Sequence, residues 1–351
     1  MKRQNDEEVH NSSAESPEKK RKLTKDELIK KFIDDCSKIF CITGPSSGKT
    51  VNLYMMRYFF EMNYENENVS KNREFFEELN IAKEFKGGES YIDLYQGKYS
   101  VVYIDFNTFQ IGNYFNDTIK KFKRFIRDLY ECYKDVDITN LKDDKKIWES
   151  FQECNDVDEE DLIVSIGFLC NNLKNLLKRK IVLLIDNYDS PILNALNKDF
   201  YDEFYTFYIN VFKKIFENNY KYAYLFKTFI TGKINIKLFS NFDSRNYSIF
   251  NNKYIEYYSI TNFELRKLLD KLKLKNKSEL FEKYYNNIES TLLSLNSTDI
   301  NNTNKTNKIN ILISSTLSNN NKDINNDYDS NKVKYYDISC VCDCIKKILS
   351  E

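Results

Sequence analysis

The stretch that most constrains this chain is Lys38-Ile39-Phe40-Cys41-Ile42-Thr43-Gly44-Pro45-Ser46-Ser47-Gly48-Lys49-Thr50. Ile39 to Ile42 form a short apolar run, as expected of a strand covered on both faces. Gly44 and Pro45 end that run. Beyond Thr50, residues Leu53, Met56, Tyr58, Phe59 and Phe60 recur at mostly helical spacing, which predicts a helix packed on the sheet. A strand, a tight loop and a helix N-terminus together aim backbone N–H groups at an anion, with the helix dipole behind them. In such a cradle Lys49 reaches the β- and γ-phosphates and the Thr50 hydroxyl ligates Mg²⁺. Gly44, Pro45, Ser46, Ser47, Gly48, Lys49 and Thr50 are therefore the candidate nucleotide-binding residues. The usual spacing, G-x-x-x-x-G-K-[ST], calls for glycine where this chain has Thr43, and the glycine comes one residue late. The competing reading is an ordinary strand–turn–helix corner with a surface lysine.

Composition narrows the alternatives. Glycine and proline are scarce, at 8 and 3, yet two of the glycines and one proline fall in the single loop that ends at Thr50. Histidine occurs once, as His10, in a polar stretch. That excludes a Ser-His-Asp triad, a Cys-His nucleophile and a His-ligated zinc inside the fold. Acidic and basic residues balance at 53 each, so no global charge draws the chain to nucleic acid or a membrane surface. Eight cysteines without a secretory leader pattern fit a reduced, intracellular setting better than a disulfide framework. Cys340, Cys342 and Cys344 are spaced too tightly for a usual zinc site, and read as apolar residues of a terminal element. No apolar run approaches the roughly 18 residues of a membrane helix.

Along the chain, residues 1–25 read as a disordered basic and polar tail. Its cluster Lys19-Lys20-Arg21-Lys22 reads either as a nuclear import signal or as a solubilising charge run, with the cytoplasm as the other location. Residues 24–37 predict a short helix, with Thr24 and Glu27 as a capping box. Residues 65–89 predict small helices or an insertion. Residues 100–106 form a second apolar strand, with an acid at Asp105, followed by an amphipathic helix over 117–133. Residues 134–158 read as an acidic loop holding Trp148, and 158–180 as a long helix. Ile181-Val182-Leu183-Leu184-Ile185-Asp186 is a strand with an acid at its tip, the shape that holds Mg²⁺ through water in phosphate-binding α/β proteins. A helix over 199–218 and a strand over 222–231 follow. That strand ends in Thr231-Gly232, where Thr231 could contact a γ-phosphate. Residues 253–259 predict a final strand, and Thr261 with Glu264 a capping box that opens a helix running to about residue 274. Alternating strands and helices imply a mostly parallel sheet covered on both faces, with a ligand crevice at the carboxyl ends of its strands.

The expected organisation is a tail (1–25), one α/β domain (26–274) and a short helical extension (275–295). An Asn-rich low-complexity linker (296–331) and a small C-terminal element (332–351) complete it.

Gly48-Lys49-Thr50 with Leu53 and Tyr58-Phe59-Phe60, Val102 to Phe106, Thr231-Gly232 and the run from Tyr247 to Leu268 together resemble one family. The most specific piece is Leu184-Ile185-Asp186-Asn187-Tyr188-Asp189-Ser190-Pro191-Ile192. The resemblance is to the predicted AAA-ATPase-like family, P-loop NTPases of the ASCE type related to the signal-transducing STAND ATPases. It covers roughly residues 28 to 272. It implies a three-layer αβα fold, ATP and Mg as ligands, Lys49 and Thr50 as the Walker A pair, and Asp186 as the Walker B acid that holds the metal through water.

Two departures bear on activity. Family members usually place glutamate after the Walker B aspartate to polarise the attacking water, and this chain has Asn187. They also place an arginine three residues after the Thr-Gly glycine, and this chain has Asn235, with Lys233 as a conceivable replacement. Asn187 can orient a water but cannot accept its proton. Asp189 could substitute only if its turn reaches the γ-phosphate. The candidate catalytic set is Asp186, Asn187 and Asp189. The chain therefore reads as a Mg-ATP-binding regulatory protein with weak or absent hydrolysis, acting on a protein partner that the sequence does not name. The alternative is a scaffold that keeps the fold and binds no nucleotide. A role on nucleic acid is suggested only by the basic tail and is disfavoured by the balanced charge.

Overall fold

The structure is a computed structural model, and it describes residues 25–44, 48–63, 72–236, 239, 241–248, 254–277, 279–283 and 335–350. The basic cluster at 19–22, the loop residues 45–47 and the Asn-rich linker at 296–331 lie outside the described residues.

Five strands form the central sheet: β1 (Ile39–Thr43), β2 (Ser100–Asp105), β3 (Ile181–Asp186), β4 (Leu225–Gly232) and β5 (Ser244–Ser248). Their order is β2-β3-β4-β1-β5, and every neighbouring pair is parallel. All five carboxyl ends therefore meet on one rim. Register places Asp105 beside Asp186, and Thr43 between Gly232 and Ser248.

Because strand side chains alternate, the apolar runs supply two cores. Phe40, Ile42, Val182, Leu184 and Phe229 face helices α1 (Glu27–Asp34) and α2 (Lys49–Phe60). Ile39, Cys41, Ile104, Leu183, Ile185 and Ile230 face the other side. That side is covered by α3 (Phe115–Glu131), α4 (Asp144–Glu153), α5 (Glu159–Leu177) and α6 (Tyr201–Tyr222). The result is the three-layer αβα arrangement of the P-loop kind. Each fully buried Leu, Ile or Phe contributes about 1.5–3 kcal/mol against leaving it in water, and the rings add edge-to-face contacts such as Phe32–Phe60 at 5.8 Å.

Two expectations are corrected. Residues 134–158 are not simply loop: α4 forms there because Trp148 and Phe151 lie three apart and are both buried against Tyr130. The final strand of the sheet is not 253–259 but β5, whose sequence SRNYS is polar and partly exposed. Residues Ile255–Tyr258 form a short helix, and Ser259–Thr261 pairs antiparallel with Tyr335–Asp337. The Thr261–Glu264 capping box forms as expected, at the start of α7 (Asn262–Lys271). Thr24, the other half of the capping box expected with Glu27, lies outside the described residues; α1 has Asp26 at its N-cap without a side-chain cap bond, and Asp26 accepts from the Ile81 amide at 2.8 Å. A third, smaller core joins Leu265, Leu269 and Phe281 to Val341, Cys344 and Ile348 of α8 (Ile338–Ser350). Among the described residues no helix is long and apolar enough to cross a membrane.

Candidate functional site

The rim is assembled from four strand ends and one helix start. At the end of β1 the chain turns through Gly44 (φ 154°), whose amide donates to the Gly232 carbonyl at 3.2 Å. Gly48 (φ 68°) stands at the N-cap of α2 in the left-handed region that favours glycine, and among the described residues no side chain caps the helix there. Lys49, the first residue of α2, is buried, and its Nζ donates to the Gly44 carbonyl at 2.8 Å. Thr50 follows, and its hydroxyl donates to Asp186 Oδ2 at 2.5 Å. Asp186 is buried at the tip of β3, and its other oxygen, Oδ1, accepts from the Thr231 hydroxyl of β4. A carboxylate so far from water must have both oxygens satisfied, and two hydroxyls from opposite flanks do this.

The site's wall is aromatic. Tyr54, one helical turn past Thr50, stacks on Tyr103 of β2 with ring centroids 5.3 Å apart. Burial, then the neighbouring Asp186 and Asp105 carboxylates, push the Tyr103 phenol up from its ordinary range. Asn52 is buried on α2 and donates from Nδ2 to the Tyr257 carbonyl at 3.1 Å, tying the helix to the 254–258 segment.

Among known families, the one described as predicted AAA-ATPase matches residues 23–242. The chain belongs to that AAA-ATPase-like family. No curated protein and no solved structure matches it.

In this AAA-ATPase-like chain the expected site residues divide into three groups. Gly44, Gly48, Lys49, Thr50, Asp186 and Thr231 are brought together on the rim. Pro45, Ser46 and Ser47 lie outside the described residues. Asn187 and Asp189 are adjacent but engaged elsewhere. Asn187 sits at φ 54°, a left-handed conformation that asparagine tolerates better than most residues, and its Nδ2 donates to Asp105 Oδ1 at 2.9 Å. Asp189 is buried, and its Oδ2 accepts from the amides of Lys233 and Ile234, both at 2.7 Å. Burial pushes the Asp189 carboxyl up, and those two amides oppose the shift. This clamp occupies Oδ2 of Asp189 and ties the side chain to the loop after β4.

The Asp189 clamp works together with Tyr188. The Tyr188 hydroxyl donates to the Ile234 carbonyl and accepts from the Ile236 amide, both at 2.9 Å, and the Tyr188 amide donates to the Thr231 carbonyl at 3.1 Å. The specific string around Asp186 thus holds the loop after β4 in place. Asn235 of that loop is half-buried, and its Oδ1 has no hydrogen-bond partner among the described residues. The side chain of Lys233 is exposed.

Sequence reasoning left Asp105 out of the site. The usable signal was that β2 and β3 both end in aspartate; only their register makes the two acids neighbours.

The donor set suits a magnesium nucleotide. A hydroxyl and a carboxylate oxygen are the hard ligands that Mg²⁺ prefers, and the lysine at the helix start supplies a positive charge.

Proposed function

We propose that this chain is a regulatory AAA-ATPase-like protein that binds Mg-ATP at the rim and hydrolyses it slowly. The observation that carries this reading is the Thr50–Asp186 hydrogen bond, which closes two distant parts of the sequence onto one point beside Lys49. A bare Gly-Lys-Thr corner would not require an acid from another strand there.

In this reading the Gly44–Thr50 loop and the start of α2 receive the phosphates through main-chain amides. Lys49 exchanges the Gly44 carbonyl for phosphate oxygens, a stronger charge-assisted bond. Mg²⁺, when bound, neutralises charge that builds on the phosphate oxygens. Thr50 would ligate it directly, and Asp186 would hold it through water. Thr231 fixes the orientation of Asp186 from the far side. Position 187 itself offers an amide that can donate a hydrogen bond but cannot take a proton, and slow turnover follows from Asn235 at the position where the family resemblance implies arginine. A missing arginine finger alone is worth about 10³-fold or more in turnover. The partner is a protein that reads the nucleotide state.

The test is the Mg²⁺ dependence of ATP affinity in the wild type and in Thr50→Val, measured by calorimetry. The wild type should bind at least about tenfold more tightly with Mg²⁺ than with a chelator, a gain of about 1.4 kcal/mol. Thr50→Val, nearly isosteric but without the hydroxyl, should lose that increment. Equal wild-type affinity with and without Mg²⁺ would contradict the reading.

A further inference from the structure

Two neighbouring strands end in aspartate in exact register, Asp105 on β2 and Asp186 on β3, and the two carboxylates are used differently. Asp186 has both oxygens occupied by the hydroxyls of Thr50 and Thr231. Asp105 is half-buried, and both of its hydrogen bonds go to Oδ1, from Asn187 Nδ2 and from the Asn107 amide, each at 2.9 Å. Its Oδ2 takes no hydrogen bond among the described residues. Neighbouring strands lie about 4.8 Å apart, so the free carboxylate oxygen belongs to the strand tip next to the Thr50–Asp186 pair. Asp189, the other nearby acid, is buried and clamped by two amides.

We propose that Asp105 is the catalytic carboxylate of this chain, supplying from β2 the proton acceptor that position 187 lacks, with Asn187 as its positioning residue. The inference rests on the nucleotide reading above and deepens it. In the step assigned, the oxygen of a water molecule bonds to the γ-phosphorus. The bond from that phosphorus to the bridging oxygen breaks, with its electron pair leaving on ADP. One proton of the water passes to Asp105 Oδ2. Asn187 contributes by holding Oδ1, which leaves Oδ2 to take the proton. The left-handed backbone at 187 serves this arrangement, because it turns the short amide toward β2.

Asp105→Asn is the informative variant. It keeps the shape of the side chain, and its amide oxygen can still accept from Asn107 and Asn187, so the fold and the rim should persist. Mg-ATP affinity is read by calorimetry and turnover by phosphate release. Turnover should fall by about 10²-fold or more, the ordinary worth of a positioned general base, while affinity stays within about threefold. Combining Asp105→Asn with Asn187→Asp, which moves the carboxylate across to the β3 tip, should raise turnover about tenfold above the single variant. Turnover of Asp105→Asn within about threefold of wild type would overturn the inference. So would a loss of ATP affinity that accounts for the whole defect, since Asp105 would then serve binding. A wild type that binds Mg-ATP but releases no phosphate also overturns it, and leaves the nucleotide reading standing. A wild type that binds no Mg-ATP overturns both.

Discussion

Gly232 shows how closely the residues around Asp186 are fitted. A Cβ built on it would lie 2.5 Å from the Tyr188 ring and 2.8 Å from Asp189 Oδ1. Glycine is needed there for space, because Tyr188 and Asp189 both lean on β4 to clamp the loop that follows it. Gly232→Ala should therefore cost about 1–3 kcal/mol, as overpacking does, with denaturant unfolding as the measurement. A variant as stable as wild type would mean that the clamp is looser than these contacts indicate. At this scale the sequence was partly legible. Lys49, Thr50 and Asp186 stood out because each ends or begins an apolar element. The partners of Asn187 and Asp189 did not, because each depends on a contact across strands: Asn187 with Asp105, and Asp189 with the 233–234 amides.

At the scale of elements, the joint between α1 and the sheet carries a titratable group. Lys227 of β4 is buried, and its Nζ donates to the carbonyls of Phe32, at 2.6 Å, and of Asp35, at the carboxyl end of α1. Burial lowers its pKa from the ordinary 10.5 to about 8, against the pull of Asp35 and with a smaller push from Lys38. Between those two values the unfolded chain holds a proton that the folded chain has released, so this residue's contribution to stability rises with pH from about 8 to 10.5. Below pH 8 the cost of burying the ammonium is fully present. Urea unfolding of wild type and Lys227→Met at pH 7 and pH 9.5 should show the balance moving toward wild type at the higher pH. Tyrosines titrate in both proteins and cancel in the difference. A gap that does not change with pH would contradict the assignment. Element types were read well where apolar periodicity was long, as in α3, or where acids open a helix and basic residues close it, as in α5. They were missed where burial is set by tertiary neighbours: α4, held by Trp148 and Phe151, and β5, a polar edge strand paired to β1.

At the scale of the molecule, a parallel sheet between two helical layers was legible from alternation alone, because strands buried on both faces leave continuous apolar runs. The antiparallel return of Tyr335–Asp337 onto Ser259–Thr261 was not, since the pairing residues are separated by the long Asn-rich stretch. Nor could strand order be read from the chain. The order matters because it sets β4 between β1 and β3, so that Thr231 lies between the end of β1 and Asp186. The central claim is that this rim holds the triphosphate of Mg-ATP through Lys49. Its most direct test is calorimetric titration of wild type and Lys49→Ala with Mg-ATP. The account predicts saturable binding by the wild type and a loss of at least about tenfold in affinity when the ammonium is removed. Equal binding by the two proteins, or none by either, would contradict it.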